Sequence, residues 1–280
     1  MRTFTDLKKL RTWCEIRRMS NRKIALIPTM GYLHEGHLSL IAEAKARGAK
    51  EIVVSVFVNP VQFGPNEDYE KYPRDEKADV VKCREAGATA VFFPTPEIMY
   101  QDGHSVYVNE EELSQGLCGA RRPGHFRGVC TVVAKLFNLV HPHFAVFGQK
   151  DYQQAMIIKR MVRDLNFDLE VVVAPIVREA SGLARSSRNT YLSDEERERA
   201  VVLSQVLGET QAEVAKNDTL AWKTYQSKIV KRLEEASLTV DYVEAVDAET
   251  LKPVTELTKG VVVLLAVWNG KTRLIDNMIM

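Results

Sequence analysis

Short, almost wholly apolar runs recur between Ile24 and Pro175, each flanked by stretches with helical spacing, and this alternation constrains the fold more than any other feature. Ile24-Ala25-Leu26-Ile27-Pro28 has no polar face, as expected of a strand buried on both sides of a parallel sheet. Similar runs lie at 51–58, 90–93, 144–147 and 170–175. Between them, helical periodicity is legible at 5–19, from Gly36-His37 through Leu38, Leu40, Ile41 and Ala44, and at 75–85, 129–140 and 152–165. Strand alternating with helix predicts an α/β fold with a Rossmann-like, doubly wound parallel sheet. In such sheets ligands bind beyond the carboxyl ends of the strands.

The stretch 178–189 is polar and reads as a loop, and the character then changes. Ser193-Asp194-Glu195-Glu196 starts a helix with acidic residues near the positive end of its dipole. Two helices are expected up to about Ala236, then short strands at 240–246 and 260–268. The division predicted is residues 1–179 as the main domain and 180–280 as a smaller α+β domain closing over the site.

Composition narrows the class of partner. With 38 basic and 37 acidic residues the net charge is +1, so nothing global favours nucleic acid or an anionic membrane. Affinity for phosphate must come from a local arrangement. Cys14, Cys83, Cys118 and Cys130 are scattered without zinc spacing, which reads as reduced thiols in a cytoplasmic protein. The start is charged where a signal peptide needs an apolar run, and no segment is long enough to span a bilayer.

Four motifs fall at strand ends or in the polar loop. The first is Pro28-Thr29-Met30-Gly31-Tyr32-Leu33-His34-Glu35-Gly36-His37. His34 and His37 share one face of a starting helix, whose amino-terminal N–H groups suit the phosphates of a nucleotide. Gly31 and Gly36 permit close approach of backbone to ligand. Taken alone, the pair also fits a metal site or a surface accident, although the spacing is not that of a zinc peptidase. The second is Asn59-Pro60-Val61-Gln62-Phe63-Gly64, where Gln62 is either a donor–acceptor for a hydroxy acid or a polar turn residue. The third is Phe147-Gly148-Gln149-Lys150-Asp151-Tyr152-Gln153-Gln154, with Lys150 available to phosphate and Asp151 to a ribose or a helix cap. The fourth, Arg185-Ser186-Ser187-Arg188-Asn189, is a phosphate clamp or a solvated basic loop.

In this order and at these separations the motifs resemble the pantoate–beta-alanine ligase family. Tyr69-Glu70-Lys71-Tyr72-Pro73-Arg74 and Arg122-Pro123-Gly124-His125-Phe126-Arg127-Gly128-Val129 agree as well. That family is part of the nucleotidyltransferase superfamily containing the class I aminoacyl-tRNA synthetases. His34 and His37 match its HIGH-type histidines, and Ser186-Ser187-Arg188 takes the place of the KMSKS-type loop. The resemblance implies ATP-dependent condensation of pantoate with beta-alanine through pantoyl adenylate, releasing pyrophosphate and AMP, with Mg2+ accompanying the phosphates. It implies that Met30 to His37, Gly148 to Asp151, Val177 and Arg185 to Arg188 bind ATP, with His37 as proton donor. Gln62 is expected to contact pantoate and beta-alanine, and Gln154 to reach pantoate. A homodimer is expected, with no nucleic-acid or membrane partner. Two positions depart from the family pattern: Arg185 stands where a hydrophobic residue is common, and Gln149 where an acidic one is. The rivals are a dinucleotide- or CDP-forming nucleotidyltransferase, a synthetase fragment and a non-catalytic nucleotide sensor. The first keeps its nucleotide on the product, the second lacks anticodon-binding length, and the third leaves His34, His37, Gln62 and Lys150 unexplained.

Overall fold

A computed structural model of the chain describes residues 1–65 and 67–280. They divide into two compact units: 1–149 with 153–175, and 150–152 with 176–280.

The first unit is built on six parallel strands. In chain order they are β1 (Arg2–Phe4), β2 (Ile24–Thr29), β3 (Glu51–Val56), β4 (Ala90–Phe92), β5 (Phe144–Gly148) and β6 (Glu170–Ala174). Their spatial order is β1-β4-β3-β2-β5-β6. The chain therefore winds outward from β2 in one direction through β3 and β4, and in the other through β5 and β6. The reversal lies between β2 and β5, where Leu26 faces Val53 on one side and Ala145 on the other. This is the switch point at which a doubly wound sheet leaves a crevice beyond its carboxyl ends.

The helices are α1 (Leu7–Met19), α2 (Glu35–Ala46), α3 (Glu76–Ala86), the short α4 (Pro96–Met99) and α5 (Leu117–Arg121), α6 (His125–Val140) and α7 (Tyr152–Asp164). Alternation along β2 divides the core. Ala25 and Ile27 pack with Leu40, Ile41, Ala44 and Cys83 of α2 and α3. Ile24 and Leu26 are fully buried on the opposite face, where α1 and α6 lie. Removing Leu26 to Ala is worth about 2–5 kcal/mol at such a site. The three-residue β1, pairing Thr3 with Val91, was not expected, because Arg2-Thr3-Phe4 is too short and polar to show periodicity.

The second unit continues with α8 (Asp194–Ala200), α9 (Val202–Val214), β7 (Leu220–Ala221), α10 (Trp222–Glu235), β8 (Thr239–Val246), β9 (Glu256–Leu257), β10 (Val262–Asn269) and β11 (Thr272–Ile279). The helix start expected at Ser193 is present, and Ser193 Oγ accepts from the Glu196 N–H while the Glu196 carboxylate accepts from the Ser193 N–H, a reciprocal cap. Three helices stand where two were expected, since the first divides at Val201. β10 is central in an antiparallel sheet of order β11-β10-β8. Its core joins Val263, Leu265 and Val267 to Leu207 and Leu233.

β11 went unrecognised because its alternation is broken by Asp276 and Asn277, both buried. Asp276 takes both guanidinium arms of Arg178, at 2.6 and 2.9 Å, and Asn277 donates to the Lys150 carbonyl. Partnered in this way, polar groups become compatible with burial. The stretch expected as a loop at 178–189 is more ordered than that reading. Arg178 and Ala184 form an antiparallel bridge, and Ser187–Tyr191 makes a 3-10 turn. Among the described residues no helix is long and apolar enough to cross a membrane.

Candidate active site

The turn after β2 carries most of the expected chemistry, and its backbone is unusual. Gly31 and Tyr32 both have left-handed backbone angles, with φ of +85° and +52°. Glycine at 31 is an internal necessity: a Cβ there would lie 2.7 Å from Val56 Cγ1. Asp79 of α3, 1% exposed, reaches this turn and accepts from the Tyr32 N–H at 2.9 Å and the Leu33 N–H at 2.7 Å. Burial pushes the Asp79 carboxyl up from its ordinary value, while those two hydrogen bonds and the nearby Lys82 ammonium oppose the shift.

His34 caps α2 and His37 lies one turn in, their ring centroids 4.1 Å apart. Nδ1 of His34 accepts from the Gly36 N–H at 3.2 Å, and Nδ1 of His37 accepts from the His34 N–H at 3.3 Å. An Nδ1 that accepts cannot carry the proton of a neutral imidazole, so in both rings Nε2 is the N–H donor. The first amides of a helix ordinarily lack partners, but at this start they do not wait unpaired for phosphate. The N–H groups of Gly31, Tyr32, Leu33, His34, Gly36 and His37 all have acceptors within the turn or on α3. The imidazoles themselves contribute their Nε2–H groups as further donors at this turn.

Gln62 lies at the end of a 3-10 turn, Pro60–Gln62, after β3 and is 8% exposed. Asn59 fixes its orientation: Nδ2 donates to Gln62 Oε1 and to the Gly128 carbonyl, each at 3.1 Å, while Oδ1 accepts from Tyr100 Oη at 2.7 Å. With Oε1 so engaged, Nε2 is the donor of this amide, and it meets Met30 Sδ at 3.3 Å. Two motifs read separately along the sequence thus meet in space. Beneath them, the Gln62 carbonyl contacts His125 Nδ1 at 2.8 Å, which makes Nδ1 the protonated nitrogen, and Arg122 donates to His125 Nε2 at 2.9 Å. Arg122 also forks onto Glu67, its Nε 2.7 Å from Oε1. Burial alone raises the Glu67 carboxyl, but the Arg122 hydrogen bond and charge carry it below its ordinary range.

After β5, a Cβ at Gly148 would meet nothing within 4 Å, so ligand can come close to this backbone. Gln153 is committed to structure, donating to the Leu113 and Gly116 carbonyls and accepting from the Cys118 N–H. Its neighbour Gln154 is half-buried. Sequence reading did not single out Asp79, Lys82 or Tyr100, and Arg122 and His125 entered only as part of a matching motif, without a role. An acidic residue four positions before Cys83, on the buried stripe of α3, was the available signal for Asp79.

The remaining expected residues lie in the second unit. There the Arg185 N–H donates to the Val177 carbonyl at 2.9 Å, bringing those two positions together in one small hairpin. Arg185 also approaches Glu179, Nη1 to Oε1, at 3.8 Å. Ser186 Oγ caps the following turn by accepting from the Arg188 N–H, and Ser187 is buried. Asn189, 3% exposed, donates to Glu179 and to the Ala184 carbonyl, which stiffens the segment. Lys150 and Asp151 lie in a 3-10 turn that leads into α7.

The sequence profile described as pantoate-beta-alanine ligase matches residues 2–279. The chain belongs to the pantoate–beta-alanine ligase family. Pantothenate synthetase of Acetivibrio thermocellus is 51% identical over 280 residues, covering 99% of this chain and 97% of that protein. The enzyme of Thermotoga neapolitana is 49% identical, with full coverage of both. Among solved structures, pantothenate synthetase from Thermus thermophilus superposes with a TM-score of 0.90 at 43% identity, covering 99% of each chain. The pantoate–beta-alanine ligase of Francisella tularensis, solved with beta-gamma ATP and beta-alanine, gives 0.81 at 32% identity, covering 100% of this chain and 97% of that one. As a member of this family the chain is a ligase that joins pantoate to beta-alanine.

Proposed function

We propose that this pantoate–beta-alanine ligase works by adenylation, with the paired imidazoles of His34 and His37 as the observation that carries the reading. A pantoate carboxylate oxygen attacks the α-phosphorus of ATP; an O–P bond forms, and the bond from that phosphorus to pyrophosphate breaks. The negative charge that develops on pyrophosphate needs donors held in place beforehand rather than a protein nucleophile. The Nε2–H groups of both imidazoles are such donors; His37, assigned as proton donor by the family resemblance, here stabilises the departing pyrophosphate by donating a hydrogen bond from Nε2 rather than by giving up the proton. Gln62, presenting Nε2–H beside Met30, binds pantoate and then serves beta-alanine, and Gln154 completes the pantoate contacts. The beta-alanine amine attacks the acyl carbon, the C–O bond to AMP breaks, and the amine loses a proton as the amide forms.

Met30 to His37, Gly148 to Asp151, Val177 and Arg185 to Arg188 are assigned to ATP, with Lys150 and Arg188 supplying cationic charge. That ATP is the nucleotide is supported by the Francisella tularensis relative's complex. Among the described residues no three His, Cys, Asp or Glu side chains form a metal cage. Mg2+ keeps its waters and favours phosphate oxygens, and it is assigned here as part of the MgATP substrate. The family likeness also supports a homodimer working in the cytoplasm.

The test is to incubate pure protein with MgATP and pantoate, with and without beta-alanine, and follow AMP and pantothenate. AMP and pantothenate should appear in equal amounts and only when beta-alanine is present. AMP release independent of beta-alanine, or ADP in its place, would overturn the reading.

A further inference from the structure

We infer that Asp79 is a positioning residue for the adenylation step, setting from α3 the turn that carries His34 and His37; the inference rests on the adenylation reading above. Successive left-handed residues at Gly31 and Tyr32 do not persist unless surrounding structure over-determines them. What fixes them is one carboxylate accepting from two consecutive amides, those of Tyr32 and Leu33, at 2.9 and 2.7 Å. One helical turn on, Lys82 Nζ donates to the Leu33 carbonyl at 2.6 Å. Both polar groups of Leu33 are thus held by α3, and its side chain is 1% exposed.

The next residue is His34, whose N–H is bonded to His37 Nδ1. Any shift of Leu33 passes directly into the imidazole pair. A carboxylate is required here because both incoming groups are donors. An asparagine offers one oxygen, and its own NH2 then opposes the second amide, leaving a buried donor unpaired. Asp79 is nearly inaccessible, so water cannot replace the missing acceptor. Misplacing a catalytic group by about 1 Å costs roughly 100-fold in rate.

Two half-reactions separate positioning from general stability. Pantoate-dependent exchange of labelled pyrophosphate into ATP reports the first step alone. Conversion of supplied pantoyl adenylate and beta-alanine to pantothenate reports the second, which builds no charge on pyrophosphate. Asp79→Asn should lower the exchange rate by about 10- to 100-fold and leave the second half-reaction within about twofold of wild type. Lys82→Met should act in the same direction with a smaller loss. A merely structural role would depress both half-reactions equally, in proportion to the folded fraction, and that result would overturn the proposal. Wild-type exchange in folded Asp79→Asn would overturn it as well. If Asp79→Asn does not fold, Lys82→Met decides, and an unchanged exchange rate there counts against the clamp. Absence of exchange in the wild-type enzyme would instead remove the adenylation reading, and this role with it.

Discussion

His34 and His37 lie with their rings 4.1 Å apart, and each accepts a backbone N–H at Nδ1, so the tautomer of each ring is fixed. The N–H of His34 is itself the donor to His37. The pair is therefore a single unit, and changing one ring alters the cap that holds the other.

Replacing His37 with Ala should reduce kcat by at least about 100-fold, the usual loss when one preorganised donor to a developing charge is removed. Loss of the cap hydrogen bond costs only about 1 kcal/mol, so thermal unfolding should shift by a few degrees at most. Steady-state AMP release paired with a melting curve checks both. A folded variant turning over near the wild-type rate would take His37 out of the mechanism.

Gly128 permits α6 to press against the turn carrying Gln62. A Cβ at 128 would stand 2.6 Å from the Val61 carbonyl oxygen and 2.7 Å from Gln62 N and Cα. Gly128→Ala should cost about 1–3 kcal/mol of stability and raise the KM for pantoate, and Gln62→Ala should raise that KM too. An unchanged pantoate KM and kcat in both variants would remove Gln62 from the substrate site.

Much of this was legible in the residues. The β2, β3 and β5 runs are largely apolar, with Thr29, Glu51 and Ser55 as their polar members, so their burial between helix layers announces itself, and the motifs at their ends fall where a parallel sheet places ligands. The supporting shell was not legible, because it depends on pairings between residues far apart in the chain. Nothing local indicates that Asp79 meets Tyr32, or that Arg122 and His125 stand under Gln62. The paired state of the amides at the start of α2 was hidden for the same reason. Local rules count the amino-terminal N–H groups of a helix as unpaired, whereas here a distant carboxylate and the cap's own imidazoles take them.

Glu67 gives a pH signature. Its folded value is depressed, so its contribution to stability is complete above the ordinary glutamate range of about 4.5 and is lost as the pH falls through the lower native value. Glu67→Gln should cost about 1–3 kcal/mol near neutrality, the usual worth of hydrogen bonds to a charged partner, and this difference should shrink as the pH drops below 4.5. Denaturant melts at several pH values measure it. A pH-independent difference would contradict the Arg122 pairing as its source.

Burial pushes the thiols of Cys14, Cys83 and Cys130 up to about 12. Thiolate is the reactive form, so native protein should resist alkylation at these three positions at neutral pH. Activity should survive iodoacetamide treatment that labels only Cys118. Loss of activity in step with labelling of any buried thiol would place a cysteine in the chemistry.

Adenylation leaves an isotopic trace that no other route to pantothenate leaves. With pantoate labelled with oxygen-18 in its carboxylate, attack on the α-phosphorus and later cleavage of the acyl C–O bond must move one labelled oxygen into AMP. Mass spectrometry of the products should find one heavy oxygen in AMP and none in pyrophosphate; unlabelled AMP formed alongside pantothenate would contradict the mechanism.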